Sequence, residues 1–324
     1  MTATVIIPTL NEIAHIGPLL TKLLGEPAGV VGEILVADGG SRDGTREVVS
    51  GFARRWSRVR LIDNPERIQA AGVNRAVAAA DPRFETIVRI DAHALYPADY
   101  VGQLLPSLAA SGADSVVVRL TTRGHGGFQS AVAIAQNSRI GTGGSTHRMG
   151  GASAWVDHGH HAAFRRTMFE AAGGYDTSFE ANEDAELDAR LRALGGRIWL
   201  DTTIPVIYYP RATLGGLAKQ YFRYGSGRAR TIIKHGERLR LRQLLPPAVT
   251  LAVGFSLVGA VLVPALLIVP AIYALALGAA ATVFAVKERA LVALLAAPAL
   301  ATMHIAWGAG FLWRKALQTK VGNL

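Results

Sequence analysis

Between Pro246 and Val286 the chain runs for 41 residues without one charged side chain. After Lys287, Glu288 and Arg289, the 24 residues from Ala290 to Trp313 hold only His304 as an ionisable group. A helix that crosses a bilayer needs about 20 apolar residues, so the first stretch is long enough for two passes and the second for one. A buried helical core is the competing reading, but soluble helices of that length keep a polar face. The expected segments are 247–266, 268–286 and 290–313. Ahead of them stand Arg228, Arg230, Lys234, Arg238, Arg240 and Arg242, with only Glu237 of opposite sign. Basic residues beside a span mark the cytoplasmic side and attract anionic lipid headgroups. The net charge of +10 is therefore assigned in part to a membrane. Nucleic acid is not an expected partner, because no aromatic-interleaved basic motif accompanies the charge. The absence of cysteine excludes a disulfide framework and a thiolate zinc site. The opening MTATVIIPTLNE has no basic n-region and its apolar run stops at Pro8, so no secretory signal is expected. The region ahead of the spans is expected in the cytosol, at the plasma or inner membrane.

That region alternates strand and helix patterns. TVII is a β-branched run ending at Pro8, and a helical pattern covers Ile13 to Leu24. GEILVADGG reads as strand and turn, and SRDGTREVVSGFARRW as a helix capped by Ser41 or Asp43. VRLIDN is a third strand, Gln69 to Ala80 a third helix, and ETIVRIDAH a fourth strand. Such alternation predicts a parallel sheet covered on both faces. Ligands bind such sheets beyond the carboxyl ends of the strands, where both Asp38 and Asp91 fall. Further on, ADSVVVRLTT is a strand and residues 124–151, rich in Gly, Ser, Thr and His, are expected as a mobile loop over the site. NEDAELDARLRALG is a helix and RIWLDTTIPVIYYP closes the sheet. From Leu214 to Leu245 an amphipathic helix, basic on one face, leads to the membrane.

Three acids stand in chain order: Asp38 in ADGGSRDGT, Asp91 in RIDAHA and Asp184 in NEDAELD. Taken singly, each has a structural reading. Asp and Gly are good turn formers, Asp91 ends a strand, and adjacent acids suit a helix N-terminus. Together they match the needs of sugar transfer from a nucleotide: one acid for the base, one for a metal on the diphosphate, one to take a proton. No G-x-G-x-x-G follows the early strands, so a dinucleotide fingerprint is absent. VDHGHHA places His158, His160 and His161 close together, but no further ligand cluster accompanies them and a zinc site is not expected.

In their order and spacing, these motifs resemble family 2 glycosyltransferases. GTGGSTHRMGG and VDHGHHA are similar to the ExoA-like succinoglycan glucosyltransferase group. The resemblance covers roughly residues 2–230 and implies a GT-A type α/β fold followed by transmembrane helices. It implies a catalytic domain over 1–225, a basic juxtamembrane helix over 226–245 and a transmembrane region over 246–324. It also implies a UDP-sugar donor held by Pro8, Leu10, Glu12, Asp38, Arg67, Gly72, Asn74, Asp91 and Ala92. Asp184 is implied as the general base of an inverting transfer. Asp91 is the implied ligand of a divalent metal, Mn²⁺ or Mg²⁺. His93 stands where many relatives carry a second acid, and as a ligand its nitrogen would tilt the choice towards Mn²⁺; a water-mediated or donor contact is the alternative. The acceptor side, a lipid-linked saccharide, draws on His147, Arg148, His158, His160, His161, Glu183 and the Gln-x-x-Arg-Tyr set Gln220, Arg223 and Tyr224. That set is one residue from the Gln-x-x-Arg-Trp of processive synthases, yet the spans are too few for an obvious polymer channel, so one addition per encounter is expected. The alternatives are a polyprenyl-phosphate hexose synthase, a small processive synthase and a non-catalytic membrane-tethered sugar-binding scaffold.

For the membrane region, a helical hairpin over 246–286 with Pro264 and Pro270 near its turn returns Lys287–Arg289 to the cytoplasmic face. A full third pass then places Arg314, Lys315 and Lys320 outside, against the same tendency. Three spans are expected, with an interfacial or re-entrant third segment as the alternative.

Overall fold

The computed structural model describes residues 1–321 except 146, 147 and 149. Its contacts divide the chain into two units. The first takes residues 1–120 and 150–208, and the second takes 121–149 and 209–324.

The strands of the first unit are β1 (Ala3–Thr9), β2 (Val31–Asp38), β3 (Val59–Asp63), β4 (Thr86–Arg89), β5 (Ser115–Thr122, its last two residues counted with the second unit), β6 (Ala154–Val156), β7 (His160–Arg165) and β8 (Ile198–Tyr208). They form one sheet in the order β3-β2-β1-β4-β7-β5-β8-β6. β3, β2, β1 and β4 pair in parallel, whereas β7 lies antiparallel to both β4 and β5. The parallel half is the alternating pattern of the sequence. The antiparallel half follows from irregular connections, since antiparallel neighbours need no crossover helix.

Helices α1 (Ile13–Leu24), α2 (Thr45–Arg55) and α4 (Tyr100–Ser111) cover one face of this sheet, and α3 (Gln69–Ala79) covers the other. Side chains on a strand alternate between faces, so a continuous apolar run feeds two cores at once. Val5, Ile7, Ile34 and Val36 pack with Leu20 and Leu104 on the first face. Ile6, Leu35 and Ala37 pack with Val73 on the second. The same second core receives Phe169 and Leu187.

The second unit begins with α5 (Gly127–Gln136) and α6 (Arg139–Thr142). These residues were expected in a mobile glycine-rich loop; instead they are helical. Val132 and Ala135 of α5 are buried against Leu217, Leu277, Leu300 and Met303. The remaining first-unit helices are α7 (Arg166–Ala171) and α8 (Glu183–Ala193); α9 (Leu214–His235), α10 (Leu241–Gly259), α11 (Ile268–Glu288) and α12 (Ala296–Val321) complete the second unit. The helix expected over 214–245 is thus two helices, parted after His235 by Gly236. The segments Leu241–Gly259, Pro264–Glu288 and Leu291–Leu317 are long and apolar enough to cross a membrane. α10 and α11 turn through a 3₁₀ segment that starts at Pro264, while Pro270 lies inside the first turn of α11.

α9 and α12 approach closely because glycine stands at the contact. A Cβ on Gly225 would lie 1.9 Å from the carbonyl oxygen of Trp307, and one on Gly310 would lie 2.1 Å from that of Phe222.

Candidate active site

Asp38 ends β2, and its carboxylate organises the loop that follows. Oδ1 accepts from the backbone N–H groups of Gly40 and Ser41, both at 2.9 Å, and from Arg46 Nη1 at 3.1 Å. Oδ2 accepts from Ser41 Oγ at 2.5 Å and Thr9 Oγ1 at 3.3 Å. Burial pushes the carboxyl up, but the Ser41, Arg46 and Gly40 bonds outweigh it and hold Asp38 below its ordinary value. A carboxylate offers about four lone-pair sites. Asp38 therefore shapes this pocket chiefly through the loop it ties down. Arg67 borders the same loop, its Cα within van der Waals reach of a Cβ on Gly39.

Of the other residues proposed for the donor, Pro8 is within β1 and Leu10 is exposed beyond it. Glu12 receives His93: Nδ1 donates to Oε1 across 2.8 Å. Gly72 is packed on Asn64, with 2.9 Å between a Cβ at that position and Nδ2. Asn74 is occupied elsewhere, since its amide makes two bonds of 2.8 Å with the backbone of Tyr175. Ala92 is buried beside Asp91.

Asp91 lies two residues past the end of β4. Oδ1 accepts from Gln69 Nε2 at 2.9 Å and from Arg89 Nη2 at 3.4 Å. The Tyr96 hydroxyl brackets its backbone, accepting from Asp91 N–H at 2.7 Å. Because β7 runs antiparallel beside β4, its first residue returns to this end of the sheet, and His160 Nε2 stands 3.9 Å from Asp91 Oδ2. Burial opposes the Asp91 charge, but Arg89, then His160 and His93, bring its pKa below the ordinary value.

Glu183 and Asp184 open α8. The structure brings both to Arg89. Arg89 Nη1 lies 2.5 Å from Asp184 Oδ1, and Nη2 lies 3.8 Å from Glu183 Oε1. The Tyr175 hydroxyl donates to the same Asp184 oxygen at 2.9 Å. Burial first, and the neighbouring Asp184 charge second, push Glu183 up to about 7. One turn along α8, the fully buried Asp188 accepts from His158 Nδ1 at 2.9 Å.

Three carboxylates thus share one buried guanidinium. When all are ionised the cluster carries two unbalanced negative charges, which a divalent cation would match. Among the described residues no group of three or more His, Asp or Glu side chains is spaced to enclose a metal. Asp91 nevertheless fits an ion held by one carboxylate plus substrate phosphates, the habit of Mg²⁺ and Mn²⁺ at nucleotides. His93 fits less well, because its Nδ1 is taken by Glu12.

The chain matches the model of glycosyl transferase family 2 over residues 4–173. It belongs to that family and is a glycosyltransferase. The enzyme is 46% identical over 313 residues to the succinoglycan biosynthesis protein ExoA of Rhizobium meliloti (strain 1021), covering 97% of this chain and 94% of that one. It is 24% identical over 245 residues to the dolichyl N-acetyl-alpha-D-glucosaminyl phosphate 3-beta-D-2,3-diacetamido-2,3-dideoxy-beta-D-glucuronosyltransferase of Methanococcus voltae, covering 71% and 74%. Among solved structures, the mannosyltransferase PcManGT from Pyrobaculum calidifontis, in complex with GDP-Man and Mn²⁺, shares the GT-A fold of the glycosyltransferase. The TM-score is 0.60 at 22% identity, over 97% of this chain and 87% of that one.

The acceptor-side residues divide between the units. His158, His160 and Glu183 lie in the first. Arg148 lies in the second, where its Nη1 donates to Thr122 Oγ1 at 2.9 Å. Gln220, Arg223 and Tyr224 are there too, on α9, with Arg223 and Tyr224 exposed. His147 and the side chain of His161 lie outside the described residues. Sequence reasoning missed Arg89 and Tyr175. The available signal was an arginine inside an otherwise apolar strand, IVRI, directly before the acid.

Proposed function

We propose that the enzyme is a membrane-anchored inverting glycosyltransferase. It moves a hexose, glucose by the ExoA relationship, from a UDP-sugar to a polyprenyl-diphosphate-linked saccharide in exopolysaccharide synthesis. Residues 1–225 would carry the transfer, 226–245 the basic approach to anionic lipid, and 246–324 the anchor. The observation that carries this reading is the convergence on one buried arginine of Asp91, at the carboxyl end of a strand, and Asp184, at a helix start.

In this reading the loop ordered by Asp38, with Pro8, Leu10, Glu12 and Arg67, lines the base end of the donor. Asp91 would hold a divalent cation, which when bound offsets the charge that develops on the departing UDP. Asp184 accepts the proton of the acceptor hydroxyl as it attacks the anomeric carbon from the face opposite UDP. Within the first unit, His158, His160 and Glu183 would serve the acceptor; within the second, Arg148, Gln220, Arg223 and Tyr224 are the acceptor candidates, and Tyr224 offers a sugar-stacking surface.

A panel of nucleotide sugars, assayed for UDP release with membrane lipid extract and with EDTA, Mn²⁺ or Mg²⁺, tests the reading. UDP-glucose should be turned over, chelator should abolish turnover, and Mn²⁺ should restore it at least as well as Mg²⁺. Asp184→Asn should lose about 10² to 10⁴ in turnover, the usual contribution of a general base. Full activity in chelator, or Asp184→Asn within tenfold of wild type, would overturn the assignment.

A further inference from the structure

We propose that Arg89 and Tyr175 are positioning residues that fix the Asp184 carboxylate and tie it to Asp91 across the site. This rests on the reading of Asp184 as the proton acceptor and extends it to residues that touch neither substrate nor reacting atoms.

Arg89 is 4% exposed, at the end of a strand in the middle of the sheet. A charge so placed needs partners, and its two terminal nitrogens serve different acids. Nη1 meets Asp184 at 2.5 Å and the Tyr175 hydroxyl at 2.9 Å. Nη2 faces Asp91 at 3.4 Å and Glu183 at 3.8 Å. Its Nε finds no acceptor among the described residues, so the hydrogen bonding of the head group is spent on this cluster. The planar fork reaches both sides at once, which the single ammonium of lysine cannot do in the same geometry.

Tyr175 completes the fixing. Its hydroxyl accepts from Arg89 and donates to Asp184 Oδ1, and two donors on one oxygen set the rotation of that carboxylate. Burial keeps the phenol protonated and therefore a donor. The residue is itself held from two directions. Asn74 binds its backbone N–H and C=O, and Arg190 donates to the carbonyls of Ala172 and of Gly174, the latter at 2.6 Å. Gly174 is required at that turn: φ is +68°, and a Cβ would stand 2.6 Å from Asn74 Oδ1. An aromatic residue needed only for packing would not need its hydroxyl on an acid. A base used in attack must be ionised and correctly turned before the acceptor arrives, and this pair does both without a group on the substrate.

The test uses the full chain in detergent. Tyr175→Phe removes one hydroxyl and Arg89→Lys keeps the charge but loses the fork. Both are assayed for UDP release from UDP-glucose with membrane lipid extract, for UDP affinity with Mn²⁺, and for thermal midpoint. Tyr175→Phe should lower kcat about ten- to hundredfold, the worth of a hydrogen bond to a charged group, with KM for UDP-glucose and UDP affinity within twofold. In an Asp184→Asn background it should cause no further loss. Turnover of Tyr175→Phe within twofold of wild type overturns the proposal, as does a fall in UDP affinity and thermal midpoint in step with kcat. An inactive Asp184→Asn beside a fully active Tyr175→Phe sinks the positioning role alone. An active Asp184→Asn sinks the underlying assignment.

Discussion

Glu183→Gln separates the charge of this cluster from its shape. Burial and the adjacent Asp184 raise Glu183 from 4.5 to about 7, against the pull of Arg89. In an unfolded chain the same group ionises at its ordinary value. Between those limits the folded state binds the extra proton, so this group's contribution to stability falls as pH rises from 4.5 towards 7 and is level above it. Each pH unit of that window is worth 1.36 kcal/mol, which makes the full penalty at pH 8 about 3 kcal/mol. Glutamine has nearly the same shape as the protonated acid and no charge to bury. The variant should therefore match wild type near pH 5 and exceed it by up to about 3 kcal/mol at pH 8. Urea unfolding of the metal-free protein in detergent at pH 5, 6, 7 and 8 reads this directly. The two stabilities should diverge with rising pH, and added Mn²⁺ with UDP should narrow the gap by offsetting the negative charge. Parallel curves across the series would mean that Glu183 ionises normally, and the account of three acids on one guanidinium would fail.

Two further outcomes concern the helices. Gly225→Ala places a methyl 1.9 Å from the Trp307 carbonyl oxygen, so it should separate α9 from α12 and destabilise the protein by about 1 to 3 kcal/mol, the usual range for overpacking; an unchanged thermal midpoint would contradict that contact. A tag after Leu324, probed from each side of sealed vesicles, should react from the side that carries the catalytic region, and labelling from the opposite face alone would establish a third full pass.

The parallel half of the sheet was legible because buried parallel strands are apolar throughout and end in short polar turns, as TVII, EILVAD and TIVRID do. Their carboxyl ends located Asp38 and Asp91 without reference to any relative. The antiparallel half was harder. β7 begins in VDHGHH, to which the sequence pattern assigned no element, and only its pairing with β4 and β5 brings His160 to Asp91. Arg89 and Tyr175 are 86 residues apart, and Tyr175 follows a glycine pair that local reasoning reads as a turn and nothing more. Their meeting is a tertiary fact. The helix α5 was hidden by composition: GFQSAVAIAQ has small and polar residues suited to a loop, and becomes a helix where Val132 and Ala135 find an apolar surface.

That apolar surface also bears on the third hydrophobic segment. Length and composition allow α12 to cross a bilayer, and on those grounds alone it reads as a span. Its packing argues for a different position. Along Trp307 to Arg314 it lies against α9, a helix that carries Lys219, Arg223, Arg228 and Arg230, and Arg314 Nε donates to Ser226 Oγ at 3.2 Å. Nearer its start, His304 Nε2 donates to the carbonyl of Ile140 at 2.9 Å, while Nδ1 faces the Tyr273 hydroxyl at 3.0 Å. In α10, α11 and the turn between them, by contrast, Phe255, Val261, Leu262, Leu275 and Val286 are exposed, as residues that face lipid would be. A charged helix such as α9 does not cross hydrocarbon readily, since each central Arg or Lys costs about 3 kcal/mol on insertion scales. A helix packed along it at backbone distance belongs at the same level. The expected arrangement is a membrane hairpin of α10 and α11 with α12 beside α9, which would remove the conflict with the positive-inside tendency, and labelling of the Leu324 tag from the catalytic side alone is the result that supports it.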